Sequence, residues 1–512
     1  MNGAESLMHT ARQAGISVCF ANPGTTELQL VAALDTVPGM RAVLGLFEGV
    51  CTGAADGYAR MTGTPALTLL HLGPGFANGI ANLHNARRAG SAVVNLIGDH
   101  ATWHREADAP LTSDIESLAR PVSAWVHSSR TAAALGADLA RAVGVALHPP
   151  GQVATLIVPQ DCAWDAAPAP APLAPRPQPA RVATERLAAA ADALRRAGVA
   201  LLLGGPALRE SGLCAAARIA AATGCAVFQE TFAARLESGG GLPSFPRLPY
   251  FPEQVLEALA NVTTLVLAGA RAPVSFFGYP GKPSLLTPAG ATTLTLADAG
   301  EDVLHALAAL ADMLGAPADV ALPARERPTP PSGELNPFTL GQALAALQPE
   351  GAIVVDEAAT SGVAYQAMAP AAPRHTILSL TGGAIGQGLP CAVGAAVACP
   401  DRKVIAFQAD GSGLYTLQAL WTMARESLDV TVVVCANRLY RILQFELMRA
   451  GIAEPGPHAQ ALTELSRPTI DWVALAQGLG VPAERVDTAD AAVAALHRAL
   501  AAPGPALIEA VL

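Results

Sequence analysis

Two apolar, strand-like runs near the end of the 512-residue chain stop at oxygen-bearing side chains. "VIAFQADGSG" (404–413) stops at Asp410, and "VTVVVCAN" (430–437) stops at Asn437. The glycines after Asp410 would let backbone N–H groups approach a phosphate, and a helix that we expect to begin near Leu414 would add its dipole. A carboxylate beside a phosphate requires a cation between them, and oxygen ligands at neighbouring strand ends suit Mg²⁺. A turn aspartate with a capping asparagine is the alternative interpretation, and the second ligand argues against it.

A second candidate carboxylate lies in "GLFEGVCTGAADGYAR" (45–60). Glu48 follows an apolar run and precedes a helix of small residues, so we expect its side chain to be buried. A buried carboxylate is costly unless hydrogen bonds or charges compensate it. Two interpretations stay open from the residues alone: an ion pair with Arg60, or a carboxylate kept for chemistry.

Alternating strands and helices must position these candidates. In each third of the chain, short β-prone runs alternate with helical stretches rich in Ala and Leu, which is typical of parallel sheets covered by helices. Two proline-rich linkers, 166–182 and 321–337, separate the thirds. We therefore predict an α/β protein of three open parallel-sheet domains over residues 1–165, 183–320 and 338–512, with ligands beyond the carboxyl ends of the strands.

Composition excludes several classes of protein. The chain is 51% apolar and carries a net charge of −10, which suits a globular protein and argues against nucleic acid as a partner. No apolar run is long enough for a membrane span. Asn2 and Glu5 have the spacing of a capping box, so the first residues predict a helix rather than a signal peptide. The eight cysteines form no CxxC pair, and we expect reduced thiols in a cytoplasmic protein.

The Asp-Gly pair at 410–411, with an asparagine at the adjacent strand end, resembles the diphosphate–Mg²⁺ signature of thiamine-diphosphate enzymes. With its three α/β segments, the chain resembles the decarboxylase and acetohydroxyacid synthase superfamily over essentially its whole length. The resemblance implies thiamine diphosphate and Mg²⁺ as cofactors. It implies that the metal is held by Asp410, Asn437 and the carbonyl of Leu439, and that the diphosphate is held by Gly411, Ser412 and Thr360.

The same resemblance implies how the ring end of the cofactor is held. Glu48 would hydrogen-bond N1′ of the aminopyrimidine. In "TGGAIGQGLP" (381–390), Ile385 would bend the cofactor, and a carbonyl near Gly383 would receive the 4′-amino group. A core isoleucine in a glycine-rich turn is the alternative for Ile385. The family places its cofactor between the first domain of one subunit and the last domain of another, so we expect a homodimer at minimum and a homotetramer as the larger assembly.

Two further segments resemble the substrate-side loops of benzoylformate decarboxylase and acetolactate synthase: "FANPGTTEL" (20–28) and the segment that starts with "LLHLGPG" (69–75). By that resemblance Thr25 would contact the substrate, and His71 would transfer a proton or orient the substrate carboxylate. A hydrogen-bonded structural histidine is the alternative. We expect decarboxylation of a small-molecule 2-oxo acid with carboligation, as in acetolactate synthesis, and favour it over simple decarboxylation of the benzoylformate type.

Some positions depart from the family pattern. Ala409 and Ala436 replace a glycine and an asparagine, although neither replaced residue is a metal ligand. Gly278 lies near the place of the second active-site histidine of benzoylformate decarboxylase, and Phe445 stands near the specificity tryptophan of acetohydroxyacid synthases. The departures at Ala409, Ala436 and Gly278 support a third interpretation, an inactive regulatory paralogue that binds the cofactor, and the intact Glu48 argues against it. Because no FAD-binding sequence is recognisable, we expect no FAD and interpret "LLLGGPALRESG" (201–212) as a vestigial nucleotide site.

Overall fold

A computed structural model of the protein describes residues 1–512. The chain folds as two units. The first unit consists of Met1–Leu147, Gly151–Arg176 and Arg327–Leu512, and the second consists of His148–Pro150 and Pro177–Glu326. Two parallel sheets lie in the first unit and one lies in the second. The predicted class, α/β with three parallel sheets, is confirmed.

The strands in the middle of the first sheet of the first unit are mostly apolar and buried, as expected for parallel strands covered on both faces, whereas the edge strands are partly exposed. Its six strands are β1 (Val18–Asn22), β2 (Arg41–Leu44), β3 (Ala66–Leu70), β4 (Val93–Asp99), β5 (Trp125–Ser128) and β6 (Val153–Pro159). They lie in the order β2-β1-β3-β4-β6-β5. Its helices are α1 (Gly3–Gln13), α2 (Leu28–Thr36), α3 (Glu48–Thr62), α4 (Leu72–Ala89), α5 (Ile115–Ala119), α6 (Leu135–Ala146) and α7 (Gln160–Trp164).

The second unit has a four-stranded parallel sheet. The sheet strands are β7 (Val199–Leu203), β8 (Ala226–Gln229), β10 (Thr264–Ala268) and β11 (Thr292–Ala297), and the short strand β9 (Leu236–Ser238) lies outside this sheet. The helices are α8 (Thr184–Leu194), α9 (Glu210–Thr223), α10 (Pro252–Ala258) and α11 (Val303–Met313). The sheet has the order β11-β10-β7-β8. The turn after the central strand β7 contains Gly204 and Gly205, and this turn is part of the segment interpreted as a vestigial nucleotide site.

The third sheet, in the first unit, carries the strand ends on which the site prediction depends. Its strands are β12 (Ala352–Glu357), β13 (His375–Ser379), β14 (Val404–Ala409), β15 (Val430–Ala436), β16 (Ala483–Val486) and β17 (Ala506–Val511). They lie in the order β16-β17-β15-β14-β12-β13. The helices are α12 (Pro337–Leu347), α13 (Val363–Met368), α14 (Gly388–Ala398), α15 (Asp410–Gly413), α16 (Ala419–Arg425), α17 (Arg441–Arg449), α18 (Pro457–Ala461), α19 (Trp472–Gly478) and α20 (Ala489–Ala501).

Helices α3 and α14 pack closely because small residues face each other. A Cβ atom on Gly57 would lie 2.1 Å from the carbonyl oxygen of Cys391, and one on Gly394 would lie 1.9 Å from that of Ala54. Any side chain at either glycine would force the helices apart. This contact fixes α3, which begins at Glu48, against the helix that follows the glycine-rich loop 381–388.

Candidate active site

The ends of β14 and β15 meet at one edge of the third sheet, as the sequence predicts. The two strands are parallel neighbours, with Ala409 opposite Cys435. The backbone N–H of Arg438 donates a hydrogen bond to Oδ2 of Asp410 at 2.6 Å. The loop after β15 therefore turns directly onto the aspartate, and Asp410 and Asn437 come from adjacent strand ends.

Asp410 offers a buried negative charge that no salt bridge neutralises. Its residue is 3% exposed, and its oxygens accept backbone N–H bonds from Gly411 at 2.8 Å and from Arg438. Burial raises the pKa of Asp410, and these N–H groups oppose the rise. Oδ1 of Asn437 accepts from the N–H of Leu439 at 3.0 Å. A carboxylate and a carboxamide oxygen thus come from one pair of neighbouring loops, and oxygen donors of this kind fit Mg²⁺.

The residues predicted to hold the diphosphate follow β12 and β14. Gly411 and Ser412 are buried in α15. A Cβ atom on Gly411 would lie 2.6 Å from the Tyr440 ring, so a side chain would not fit there. Thr360 lies in the short helical turn Ala359–Ser361 after β12 and is partly exposed. Since β12 and β14 are parallel neighbours, these residues lie at the same edge of the sheet.

The helix predicted to begin near Leu414 is not found there, and this prediction is wrong. The single turn α15 ends at Gly413, and α16 begins only at Ala419. Between them the hydroxyl of Thr416 donates to the carbonyl of Gly386 at 2.8 Å. This bond draws the segment toward the glycine-rich loop. The N–H groups of α15 therefore belong to one helical turn, and the dipole of a long helix does not add to them.

The glycine-rich loop holds Ile385 between two glycines with left-handed backbones, Gly383 at φ +76° and Gly386 at φ +94°. Helix α4 fixes the loop: Nδ2 of Asn85 donates to the carbonyl of Ala384 at 2.7 Å, and Asn82 reaches that of Gly386 at 3.3 Å. Ile385 is partly buried and Gly383 is exposed.

Glu48 is the first residue of α3 and is 8% exposed, so its predicted burial is confirmed. Its Oε2 accepts a hydrogen bond from Nδ2 of Asn78 at 2.9 Å. The alternative ion pair with Arg60 is wrong, because Arg60 instead pairs with Asp56 one helical turn earlier, at 2.6 Å. Glu48 is thus a buried carboxylate with one neutral hydrogen-bond donor.

His71 lies beside Glu48. A Cβ atom on Gly75 would lie 2.8 Å from Oε1 of Glu48 and 3.2 Å from Cβ of His71, so both side chains face the same glycine. Nδ1 of His71 lies 2.8 Å from Oε2 of Glu27, and the His71 side chain is 25% exposed. No hydrogen bond joins this group to Asp410 or Asn437 within the chain.

The hydroxyl predicted to contact the substrate, that of Thr25, is on an exposed residue of the turn Thr25–Glu27. Its buried neighbour Thr26 donates to Oε1 of Glu27 at 2.6 Å, and the N–H of Gly24 donates to Oε2 at 2.7 Å. Sequence reasoning missed Glu27. Its partner His71 lies 44 residues away, so no local pattern marked it.

A cluster of aromatic rings lies in the second unit, next to Gly278 at the place of the second active-site histidine of benzoylformate decarboxylase. Phe276 lies 5.4 Å from Phe232, 5.3 Å from Tyr250 and 4.8 Å from Phe277, measured between ring centroids. Phe277 is 53% exposed. The cluster contains no histidine, and its only ionisable group is the phenol of Tyr250.

The fold therefore combines two features of a cofactor-dependent enzyme. One sheet ends in two loops that carry oxygen ligands, and the other sheet is followed by a helix that begins with a buried carboxylate. Residues 1–118 match the family model "Thiamine pyrophosphate enzyme, N-terminal TPP binding domain", and residues 358–510 match "Thiamine pyrophosphate enzyme, C-terminal TPP binding domain". The chain belongs to the thiamine pyrophosphate enzymes.

Relatives place it within the decarboxylase and acetolactate synthase superfamily. The chain is 52% identical over 516 residues to IlvX of Mycobacterium tuberculosis, a candidate acetolactate synthase large subunit, with 100% of this chain and 99% of the relative covered. It is 31% identical over 538 residues to benzoylformate decarboxylase of Pseudomonas aeruginosa, with 97% and 96% covered. A solved structure, the thiamine diphosphate-dependent 4-hydroxybenzoylformate decarboxylase of Rhodococcus jostii RHA1, superposes with a TM-score of 0.88 at 26% identity, covering 100% of this chain and 99% of that one.

None of the helices is both long enough and apolar enough to cross a membrane.

Proposed function

We propose that the protein decarboxylates a 2-oxo acid with thiamine diphosphate and Mg²⁺ and releases the aldehyde. The observation that carries this proposal is the convergence of Glu48 and His71 on Gly75. A buried carboxylate and a partly exposed imidazole at one place are side chains of the types used in general acid–base catalysis. The relatives named as decarboxylases support the reaction class.

The cofactor, when bound, supplies the electron sink for loss of CO₂. In the proposed site the metal is held by Asp410, Asn437 and the carbonyl of Leu439, and the diphosphate by Gly411, Ser412 and Thr360. The sheet edge supports this assignment, since it gathers these residues from neighbouring strand ends. Ile385 would contact the bound cofactor from below, and a carbonyl near Gly383 would accept a hydrogen bond from its amino group.

Glu48 and His71 have separate roles in the proposed mechanism. Glu48 holds a proton at the aminopyrimidine ring, and its burial beside the neutral Asn78 keeps water away from that hydrogen bond. His71 presents Nε2, which carries no hydrogen bond within the chain, for proton transfer to or from the substrate-derived group. Thr25 orients the substrate through its exposed hydroxyl. Protonation by His71 favours aldehyde release.

Carboligation, which the sequence favoured, is the second candidate. Its support is the 52% identity to a candidate acetolactate synthase large subunit. For ligation, His71 would have to withhold its proton, and the site would have to admit a second carbonyl compound. The proposed location is the cytoplasm.

The proposed active unit is a homodimer, with a homotetramer as the larger assembly. The absence of a hydrogen bond between the Glu48 group and the Asp410 group within one chain is compatible with a cofactor shared by two subunits. Light scattering with and without cofactor tests this assembly.

The test is a screen of 2-oxo acids with purified protein, thiamine diphosphate and Mg²⁺, in which released CO₂ and the products are both measured. Pyruvate, benzoylformate and longer 2-oxo acids cover the substrate class. Aldehyde as the main product supports the proposal, and hydroxyketone as the main product supports ligation. Glu48→Gln is expected to lower turnover by at least about 10²-fold, the usual range for a lost acid–base group. Full turnover in that variant would exclude the mechanism.

The inactive regulatory paralogue makes a different prediction. An inert protein binds the cofactor but does not accelerate hydrogen–deuterium exchange at C2 of its thiazolium ring. Faster exchange with the wild type than with Glu48→Gln argues against the paralogue, even if the correct substrate is missing from the screen.

A further inference from the structure

A buried carboxylate that the proposed mechanism does not use holds the glycine-rich loop. Glu357, the last residue of β12, is 4% exposed. Its oxygens accept three consecutive backbone N–H bonds, from Gly386 at 2.7 Å, from Gln387 at 3.3 Å and from Gly388 at 2.7 Å. These N–H groups converge on one carboxylate, as they would on a bound anion. The loop that carries Ile385 is thus pinned to the end of β12.

Gln408 connects this carboxylate to the diphosphate side of the site. Its side chain is fully buried, and the residue lies opposite Glu357 in the register of β12 and β14. Nε2 of Gln408 donates to Oε2 of Glu357 at 3.1 Å and to Oγ of Ser412 at 2.6 Å. One amide group therefore joins Glu357 to Ser412.

Gly388 leaves room for this connection. A Cβ atom at position 388 would lie 2.4 Å from Oε1 of Gln408 and 2.8 Å from Oε2 of Glu357. A side chain at this position would push both polar groups apart. The contact between Glu357 and Gln408 therefore requires a residue without a side chain at position 388.

We propose that Glu357 and Gln408 are positioning residues, which hold the ring-side loop and the diphosphate residue Ser412 in one fixed relation. The inference rests on the proposed function, which assigns Ile385 in this loop and Ser412 to the cofactor site. Neither residue touches the cofactor in this proposal. They act through Gly386–Gly388 on one side and Ser412 on the other, so that the loop is ordered before the cofactor arrives and binding costs less conformational entropy.

Gln408→Leu is the first test variant, because it keeps the size of the side chain among apolar strand neighbours but removes the amide. Glu357→Gln is the second, because its carboxamide would direct N–H groups at the backbone donors. Gln342→Leu on α12 is the matched control; it removes a surface hydrogen bond to the carbonyl of Thr329.

Two measurements report on the inference, both made on the full-length protein. Amide exchange of the peptide that contains 386–388, without cofactor, is expected to be at least tenfold faster in both test variants than in the wild type. The Kd for thiamine diphosphate with Mg²⁺ is expected to rise at least tenfold, with kcat still reduced at saturating cofactor. A purely structural role would instead lower the melting temperature and leave the Kd of the folded variants unchanged.

The outcomes separate this inference from the proposed function. If the wild type binds the cofactor and both variants keep its exchange rate and Kd, the positioning role is overturned and the proposed function stands. If the wild type binds no thiamine diphosphate, the proposed function fails and the inference fails with it. If Gln408→Leu does not fold, Gln408→Met and Glu357→Gln decide by the same two measurements.

Discussion

Nδ1 of His71 lies 2.8 Å from Oε2 of Glu27, whose side chain is fully buried. A carboxylate oxygen accepts, so Nδ1 is the donor in this contact, and in the neutral ring Nε2 then presents its lone pair. The same Oε2 accepts from Gly24, and Oε1 accepts from Thr26. These bonds fix the carboxylate, and the carboxylate fixes both the tautomer and the ring orientation of His71.

Glu27→Gln is expected to lower kcat by about 10²-fold and to change KM little, because the variant disturbs the proton on His71 and not the binding of substrate. The carboxamide can turn an N–H toward Nδ1, which would move the ring proton to Nε2. Steady-state kinetics and ¹⁵N NMR of the labelled histidine ring measure the two effects.

The control for that prediction is a double-variant comparison. His71→Gln alone should cost at least as much as Glu27→Gln, and the double variant should cost no more than His71→Gln, since one group acts through the other. Additive losses, or a Glu27→Gln enzyme with wild-type kcat and unchanged ¹⁵N signals, would show that Glu27 does not act through His71.

Gly98 on β4 makes space for the buried carboxylate. A Cβ atom there would lie 1.6 Å from Oε1 of Glu27, so Gly98→Ala must displace a side chain held by three hydrogen bonds. We expect a loss of about 1–3 kcal/mol in the free energy of unfolding, measured by urea denaturation, and a fall in activity as His71 loses its partner.

Gly144 on α6 is the matched control for that substitution. Its added Cβ would meet no atom within 4 Å, so Gly144→Ala should raise stability by up to about 1 kcal/mol through helix propensity. Equal effects of the two alanine substitutions would contradict the role assigned to Gly98.

Most strands could be predicted from the sequence, including β2, β8 and β11 at the edges of their sheets, but β5, β9 and β16 could not. Runs such as "ALTLL" and "VTVVVCA" are apolar throughout, because parallel strands in mid-sheet are buried on both faces. The missed strands β5 and β16 lie at the ends of their sheets, and their residues are partly exposed or polar. Their patterns do not differ from those of loops. The start of α1 could also be predicted, and Asn2 and Glu5 form the predicted capping box.

Only part of the candidate site could be predicted from the sequence. The meeting of Asp410 with the end of β15 follows from parallel pairing, which strand patterns predict. Glu27 and Glu357 could not be assigned, because their partners lie 44 and 29 to 31 residues away and depend on the course of loops. A local ion pair could have been predicted: Arg60 pairs with Asp56, one helical turn earlier, at the i−4 spacing that a helix favours.

Glu230 in the second unit leads to a pH prediction that is independent of catalysis. It follows β8, accepts the N–H of Gly205 at 2.9 Å, and lies against Gly204 at the turn interpreted as a vestigial nucleotide site. Burial raises the pKa of Glu230 to about 7, although Gly205 and Arg271 favour the charged form. An unfolded glutamate titrates near pH 4.3, so between roughly pH 4.3 and pH 7 the folded chain keeps a proton that the unfolded chain has lost.

The free energy of unfolding should therefore fall as pH rises through this window, by at most about 1.4 kcal/mol per pH unit from this group, and level off above pH 7. Glu230→Gln keeps an acceptor for Gly205 and removes the titration, so the variant should lack this slope and be more stable than the wild type at pH 8. Urea denaturation between pH 5 and pH 8 measures both proteins, and Glu185→Gln on the exposed face of α8 controls for the loss of one surface charge. Identical slopes for wild type and Glu230→Gln would mean that Glu230 is ionised throughout, and that the turn after β7 already holds a negative charge where a nucleotide phosphate would otherwise bind.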